Sequence, residues 1–303
     1  MDQIKNLKIT TLVENLAFPK YLGQWGLSFL LELVDAQDKL RKIILDTGGN
    51  KKAFKHNVRA LKVDISDVDS VVLSHGHWDH TAATVEVAKA AGGGLKIFAH
   101  PHTFLPRFFT DKRGKKRKMG VPKGERLDEI EMEGGKISLT SEPTEVAPGV
   151  WTTGQIKRIT AFEHALPLAE GEKLSIFIDG MELDDQILDD QALWMNVENV
   201  GPVVITGCAH AGSINTLFQV QKLGRFKEIF GLAGGTHLVK RSDEYLWKTV
   251  GEFKKIGLKL ISPCHCTGFK ATSILWQTFP EAFVLNYSGR AIKPGERPKT
   301  VVF

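Results

Sequence analysis

Ser74-His75-Gly76-His77-Trp78-Asp79-His80 packs three histidines and one aspartate into a single short stretch. The apolar run Val71 to Leu73, a predicted strand, leads into it. A predicted helix from Thr81 to Ala91 follows, and Gly92-Gly93-Gly94 stops that helix because glycine reaches the left-handed region at no steric cost. The stretch is therefore a loop at the end of a strand. In a looping backbone His75 and His77 can aim at one metal ion, while Asp79 and His80, where the chain turns into the helix, can aim at a second. Imidazole and carboxylate together suit Zn, Mn or Fe, whereas all-oxygen sets suit Mg or Ca. Without a metal, four such groups crowded together would be hard to satisfy with hydrogen bonds.

Working outward, the N-terminal third reads as strands joined by tight turns: Leu7 to Val13, Gly26 to Val34 and Lys39 to Leu45, the last ending in Asp46-Thr47-Gly48-Gly49. Leu95 to Ala99 is the next strand. From Val203 the chain alternates: strand to Ile205, helix Ser213 to Leu223, strand Glu228 to Leu232, helix Asp243 to Lys255, strand Leu258 to Ile261, helix Ala271 to Thr278. Strands first and strand–helix alternation later predict a layered α/β architecture. The segment from Phe104 to about Pro148 has weak periodicity and several Gly and Pro, and reads as an insertion or lid within a single domain spanning 1–303.

Three further histidines follow predicted strands: His210 in Gly207-Cys208-Ala209-His210-Ala211-Gly212, His237 in Gly234-Gly235-Thr236-His237, and His265 in Pro263-Cys264-His265-Cys266-Thr267-Gly268. Carboxyl ends of strands line one edge of an α/β sheet, so these histidines can meet the first cluster there.

These residues resemble the metallo-β-lactamase superfamily, whose HxHxDH signature is matched at His75, His77, Asp79 and His80. The resemblance implies a four-layer αβ/βα sandwich with two divalent metal ions, zinc foremost and Mn or Fe as alternatives, on one edge. By position it implies that His75, His77 and His210 hold one ion, and that Asp79, His80 and His265 hold the other. Asp46 matches the family's aspartate close to the site, as a support for a ligand; otherwise it is a turn-former. Many members bridge the metals with an aspartate at a strand end between the ligands matched by His210 and His265. Here that place reads Gly235-Thr236-His237, and none of the carboxylates between those histidines (Glu228, Asp243, Glu244, Glu252) ends a predicted strand. His237 then becomes a ligand or a substrate contact, and contact is the preferred role.

The segments around His75, Asp189-Asp190-Gln191-Ala192-Leu193, and the loops carrying His210, His237 and His265 narrow the resemblance. They are similar to the branch of dihydropterin-ribofuranosylaminobenzene-phosphate synthases. That implies an enzyme acting on a phosphorylated or pterin-like small molecule, with Asp79 and His237 in catalysis. A transferase would stabilise a departing diphosphate while an arylamine attacks. A hydrolase of an ester or phosphoester would use the same site, and a ligand-binding sensor remains if no metal is held. Cys208, Cys264 and Cys266 are read as buried, inert thiols, with alternation aiming Cys264 and Cys266 away from His265. Asp189-Asp190 is read as a solvated turn in preference to a support for the site. His100 and His102 are undecided; His56 and His164 are read as structural.

Composition narrows the classes further. The chain has 303 residues, 42% hydrophobic and 25% charged, which suits a globular protein and excludes a disordered one. No apolar run reaches the roughly 18 residues of a membrane span. Residues 1–6 lack a signal-peptide layout, and three cysteines are too sparse for a disulfide scaffold, so a cytoplasmic setting is expected. Lys and Arg total 40 against 35 Asp and Glu, but six of the cations lie between Lys112 and Lys118, and without them the balance is 34 to 35. The basic character is one loop. It is either a solvated flap or a clamp for a small anionic substrate, with Arg113 and Lys116 as contacts and Phe104, Phe108 or Phe109 facing a pterin ring. A nucleic-acid partner is disfavoured, because no aromatics are interleaved with the run. A diiron flavoprotein is disfavoured by His77, where Glu would stand.

Overall fold

The computed structural model describes residues 2–163 and 168–296; His164 lies outside them. Two mixed sheets carry the architecture. The first runs, in spatial order, Ala291–Ile292, Asn6–Val13, Ser28–Val34, Leu40–Leu45, Ser70–Val72, Lys96–Ala99 and Lys136–Leu139. Its early strands are antiparallel, and the pairings from Leu40–Leu45 onward are parallel. The second runs Leu260–Cys264, Gly231–Gly235, Gly201–Thr206, Ala192–Val197, Val150–Thr152 and Glu145–Ala147, its first three strands mutually parallel.

Strand alternation makes the four layers. Along Ser28–Val34, Phe29, Leu31 and Leu33 face the other sheet, and Leu30 faces outward. Along Ala192–Val197, Leu193 and Met195 face inward and Trp194 outward. The inward residues of both sheets form one core. The outward face of the first sheet packs on helices Lys51–Leu61 and Thr84–Ala90, that of the second on Ser213–Gly224, Asp243–Ile256 and Phe269–Thr278. Each fully buried Leu, Ile or Phe contributes about 1.5–3 kcal/mol, which is why strands hydrophobic on both faces are confined to these middle layers.

Two expectations change in detail. The helix predicted from Thr81 to Ala91 is two pieces, Trp78–Thr81 and Thr84–Ala90, separated where Ala83 takes φ −135°. Helix Lys51–Leu61, begun by an Asn50 cap whose side chain accepts from Lys52 N and Ala53 N, has no counterpart in the sequence reading.

The stretch 104–148 is distributed over the molecule. Arg107–Thr110 and Lys116–Lys118 pair as a hairpin and join Lys173–Ile178 and Met181–Asp184 in a small antiparallel sheet. Helix Leu127–Met132 buries Ile130 in the outer core, and Lys136–Leu139 and Glu145–Ala147 are edge strands of the two large sheets. No helix among the described residues is long and apolar enough to cross a membrane.

Candidate metal centre

The carboxyl ends of the parallel strands in both sheets open on one edge, where each loop delivers side chains inward. Leu40–Leu45 leads to Asp46, Ser70–Val72 to His75, Gly201–Thr206 to Cys208 and His210, Gly231–Gly235 to His237, and Leu260–Cys264 to His265. The His75 loop is seated tightly. A Cβ on Gly76 would lie 2.0 Å from the Thr103 carbonyl oxygen, so only glycine fits.

His75, His77 and His210 converge: His75 Nε2 lies 3.0 Å from His77 Nδ1 and 3.2 Å from His210 Nε2. Asp79, His80 and His265 converge beside them, with His265 Nε2 at 3.4 Å from Asp79 Oδ2 and 3.2 Å from His80 Nε2. All six residues are buried. The two trios are therefore assembled from three separate loops.

The hydrogen-bond network aims the ring nitrogens. Asp46, itself fully buried, accepts from Ser74 N at 2.7 Å, from Ser74 Oγ at 2.6 Å and from His80 Nδ1 at 2.6 Å. Having given its proton to Asp46, the Ser74 hydroxyl accepts from His75 Nδ1 at 2.9 Å. Asn15 gives its amide N–H to the His265 carbonyl, so its oxygen accepts from His265 Nδ1 at 3.1 Å. His75, His80 and His265 thus turn Nδ1 toward hydrogen-bond partners and leave Nε2 directed into the site. Ring nitrogens gathered at this spacing with a carboxylate beside them form a donor set that fits divalent transition metals, which a ligating imidazole meets with an unprotonated Nε2.

The electrostatics divide the site. Burial and the neighbouring imidazoles push His75 and His210 well below the usual histidine range, and burial with the Arg107 charge pushes His77 to about 3. Burial also works against charge on His80, but Asp46 and Asp79 outweigh it and hold its pKa up to about 9. Asp79 stays low despite burial because His80 and His265 favour its ionised form.

Several supports escaped the sequence reading. Asp189 and Asp190 are buried rather than solvated. Asp189 accepts from Gly76 N at 2.7 Å and from the buried Arg107 at 2.6 Å, and Asp185 lies on the other side of that guanidinium at 3.2 Å. Asp190 accepts from Ala211 N at 2.8 Å, bracing the His210 loop. Glu14 accepts from His265 N at 2.6 Å. The doublet Asp189-Asp190 was the available signal; Arg107, a lone cation beside aromatics, offered none.

The three thiols are buried as expected, but two of them sit beside the candidate site. Cys264 belongs to the inter-sheet core, but Cys208 and Cys266 lie among the imidazoles. The chain leaves extended geometry at His265–Thr267, a single tight helical turn, and period-two alternation no longer governs where Cys266 points. His237 lies against His210 with ring centroids 4.2 Å apart and planes tilted by 49°, on a backbone with φ 46°.

A cavity of about 580 Å³ opens over the two trios, with Trp25, Trp78 and Phe109 as aromatic walls and Arg117, Lys118 and Lys240 as cations. Arg113 and Lys116 are not on it. Register decides this: Phe109 pairs with Arg117, and both face the cavity, whereas Lys116 lies on the other face over Phe108 and Phe177 and pairs with Glu182. Arg113 sits in the exposed turn of the hairpin. Phe104 packs in the outer core. His100 meets Gln155, and the exposed ring of His56 meets the Lys20 carbonyl, both away from the cavity.

Comparison with known proteins agrees with this geometry. The profile of the Metallo-beta-lactamase superfamily matches residues 27–159. A protein of Methanocaldococcus jannaschii named 7,8-dihydropterin-6-methyl-4-(beta-D-ribofuranosyl)-aminobenzene-5'-phosphate synthase is 29% identical over 97% of this chain and 98% of its own. An uncharacterised protein of the same organism is 32% identical over 94% of this chain and 99% of its own. Among solved structures, a metal-dependent hydrolase of the β-lactamase superfamily superposes with a TM-score of 0.75 at 24% identity, covering 94% of this chain and 98% of that one. With the fold, the signature loop and full-length relatives in agreement, the chain belongs to the metallo-β-lactamase superfamily.

Proposed function

We propose that this protein is a dinuclear metal-dependent enzyme acting on a phosphorylated, ring-bearing small molecule of the pterin class. The observation that supports this most is the pairing of two converging donor trios with a cavity walled by both indole rings and cations. Bound divalent ions would supply Lewis-acid polarisation of a substrate oxygen and neutralise a departing phosphate.

The chain's own residues do the rest. His75, His77 and His210 would hold one ion, and Asp79, His80 and His265 the other. Trp25, Trp78 and Phe109 offer flat apolar faces to a heteroaromatic ring. Arg117, Lys118 and Lys240 face the same space and suit a phosphate, Arg117 with a fork that can bind it in two places. His237, half-buried at the rim beside His210, is positioned to meet a substrate atom and hold or pass a proton. The full-length similarity to the synthase favours transfer of a pterin group over simple hydrolysis. A phosphoester hydrolase is the second reading, favoured by the fold match to a metal-dependent hydrolase.

The test is metal content by mass spectrometry on the purified protein and on His80→Ala and His210→Ala, followed by assay against pterin diphosphates with an arylamine and against phosphoesters. About two ions per chain, reduced in both variants, with arylamine-dependent release of diphosphate, is the expected result. Metal-free protein with no turnover would overturn it in favour of a ligand sensor.

A further inference from the structure

Three groups of donor atoms among the described residues lie within 4.8 Å of one another: His75 with Cys208 and His210, His80 with Cys208 and His265, and Cys208 with His237 and Cys266. Cys208 is common to all three. Its Sγ lies 3.1 Å from His80 Nε2, and the residue is 3% exposed. The sulfur therefore stands between the imidazoles of the two trios.

The strand that would carry a carboxylate into this space cannot do so. Gly231–Gly235 ends in two glycines, and a Cβ on Gly235 would lie 2.4 Å from the Gly207 carbonyl oxygen and 2.7 Å from Cys266 Sγ. Asp190, on the neighbouring loop, turns Oδ2 to Ala211 N and is not among the donor atoms that converge here. What occupies the space is sulfur. The backbone turns to deliver it: Ala209 takes φ 55°, an uncommon conformation for a residue with a Cβ, between the two residues that reach the site, Cys208 and His210.

We infer that Cys208 is a metal ligand, its thiolate shared between the two ion positions in place of a bridging carboxylate. The inference rests on the dinuclear reading above and adds a donor to it. On binding, sulfur–metal bonds form and the thiol proton leaves to solvent. A soft sulfur donor among imidazoles selects Zn, Fe(II) or Co(II) and disfavours Mn, Mg and Ca. Cys266, whose Sγ donates to the Cys208 carbonyl at 3.4 Å, lies on the His237 side of the same space.

The test reconstitutes metal-stripped wild type, Cys208→Ser, Cys264→Ser and Cys266→Ser with Co(II), reading equivalents bound and the near-ultraviolet sulfur-to-cobalt charge-transfer band. Wild type should bind about two equivalents and show the band. Cys208→Ser should lose the band and bind the second equivalent at least tenfold more weakly, while the other two variants keep both. Zinc-edge X-ray absorption on wild type, which needs no variant to fold, should show a sulfur shell at about 2.3 Å beside nitrogen at about 2.0–2.1 Å. Cobalt bound without the band, or a zinc spectrum without sulfur, would overturn the inference and leave the dinuclear reading standing. A band lost in Cys266→Ser but kept in Cys208→Ser would move the ligand to the His237 side and also overturn it. Failure of wild type to bind either metal would overturn both.

Discussion

The trio of His75, His77 and His210 contains no carboxylate, whereas the trio of Asp79, His80 and His265 contains one and leans on a second, Asp46. The first trio is held neutral by burial and mutual repulsion; the second keeps a proton on His80, whose pKa is held up to about 9. An ion entering the first trio meets ready lone pairs with no countercharge. An ion entering the second meets countercharge but displaces a proton. On the proposed dinuclear reading, the two positions should therefore differ in affinity and in pH dependence, although both are built mainly from imidazole.

The comparison breaks most directly by removing one ligand from each half. His210→Ala and His265→Ala should each lose metal affinity by more than a hundredfold at their own position, since even supporting residues behind ligands are worth about 10–100-fold. Competition titrations with a chelating dye would show it. Equal loss at both positions from either variant would mean that the trios are not separable sites.

Asp46→Asn sharpens the contrast. It removes the acceptor charge behind His80 and should weaken the carboxylate-bearing position by about 10–100-fold, with a smaller loss at the all-imidazole position, which Asp46 reaches only through Ser74. The same titration reads it.

In chelator, the two halves should also bend the stability profile in opposite directions. His75, His77 and His210 have folded pKa values below the unfolded 6.5, so the unfolded chain binds more protons and stability rises with pH from about 3 to about 6.5. His80 has the opposite sign. Its contribution is complete below about 6.5 and is lost as pH rises toward about 9, a change on the order of 3 kcal/mol. Urea unfolding of metal-free protein across this range should give a maximum near 6.5, and Asp46→Asn should flatten only the alkaline side.

The smallest effects belong to the cavity rim. Arg117→Ala should raise the KM for a phosphorylated substrate severalfold with little change in kcat, because a phosphate contact remote from the metals is made equally before and during reaction. Arg113→Ala, in the exposed turn of the same hairpin, should change neither. A reversed result would restore the turn as the clamp.

Much of the site was legible because the signature is local. Candidate ligands within residues 75–80 are brought together by the loop itself, and His210 and His265 were legible as histidines immediately after strands of one alternating pattern. Asp46 follows a strand in the same way. What escaped were groups whose role depends on a partner far away in the chain: Arg107 meeting Asp189, Glu14 meeting the His265 amide, and Asp190 meeting Ala211. None of these pairs has a spacing that marks it.

By itself, then, the sequence determined the layered α/β class, the edge that carries the chemistry and the set of imidazole and carboxylate donors, since all three follow from short-range pattern and strand-end position. Tertiary structure alone decided which lone pairs face inward, through Asp46, Ser74 and Asn15. It decided that Arg117 and not Lys116 looks into the cavity, because strand register sets the face. It also decided that the sulfur of Cys208 stands between the trios. A side chain's direction is a property of the surfaces that meet around it, and those surfaces come from segments separated in the chain, by 28 residues for Asp46 and Ser74 and by 250 for Asn15 and His265.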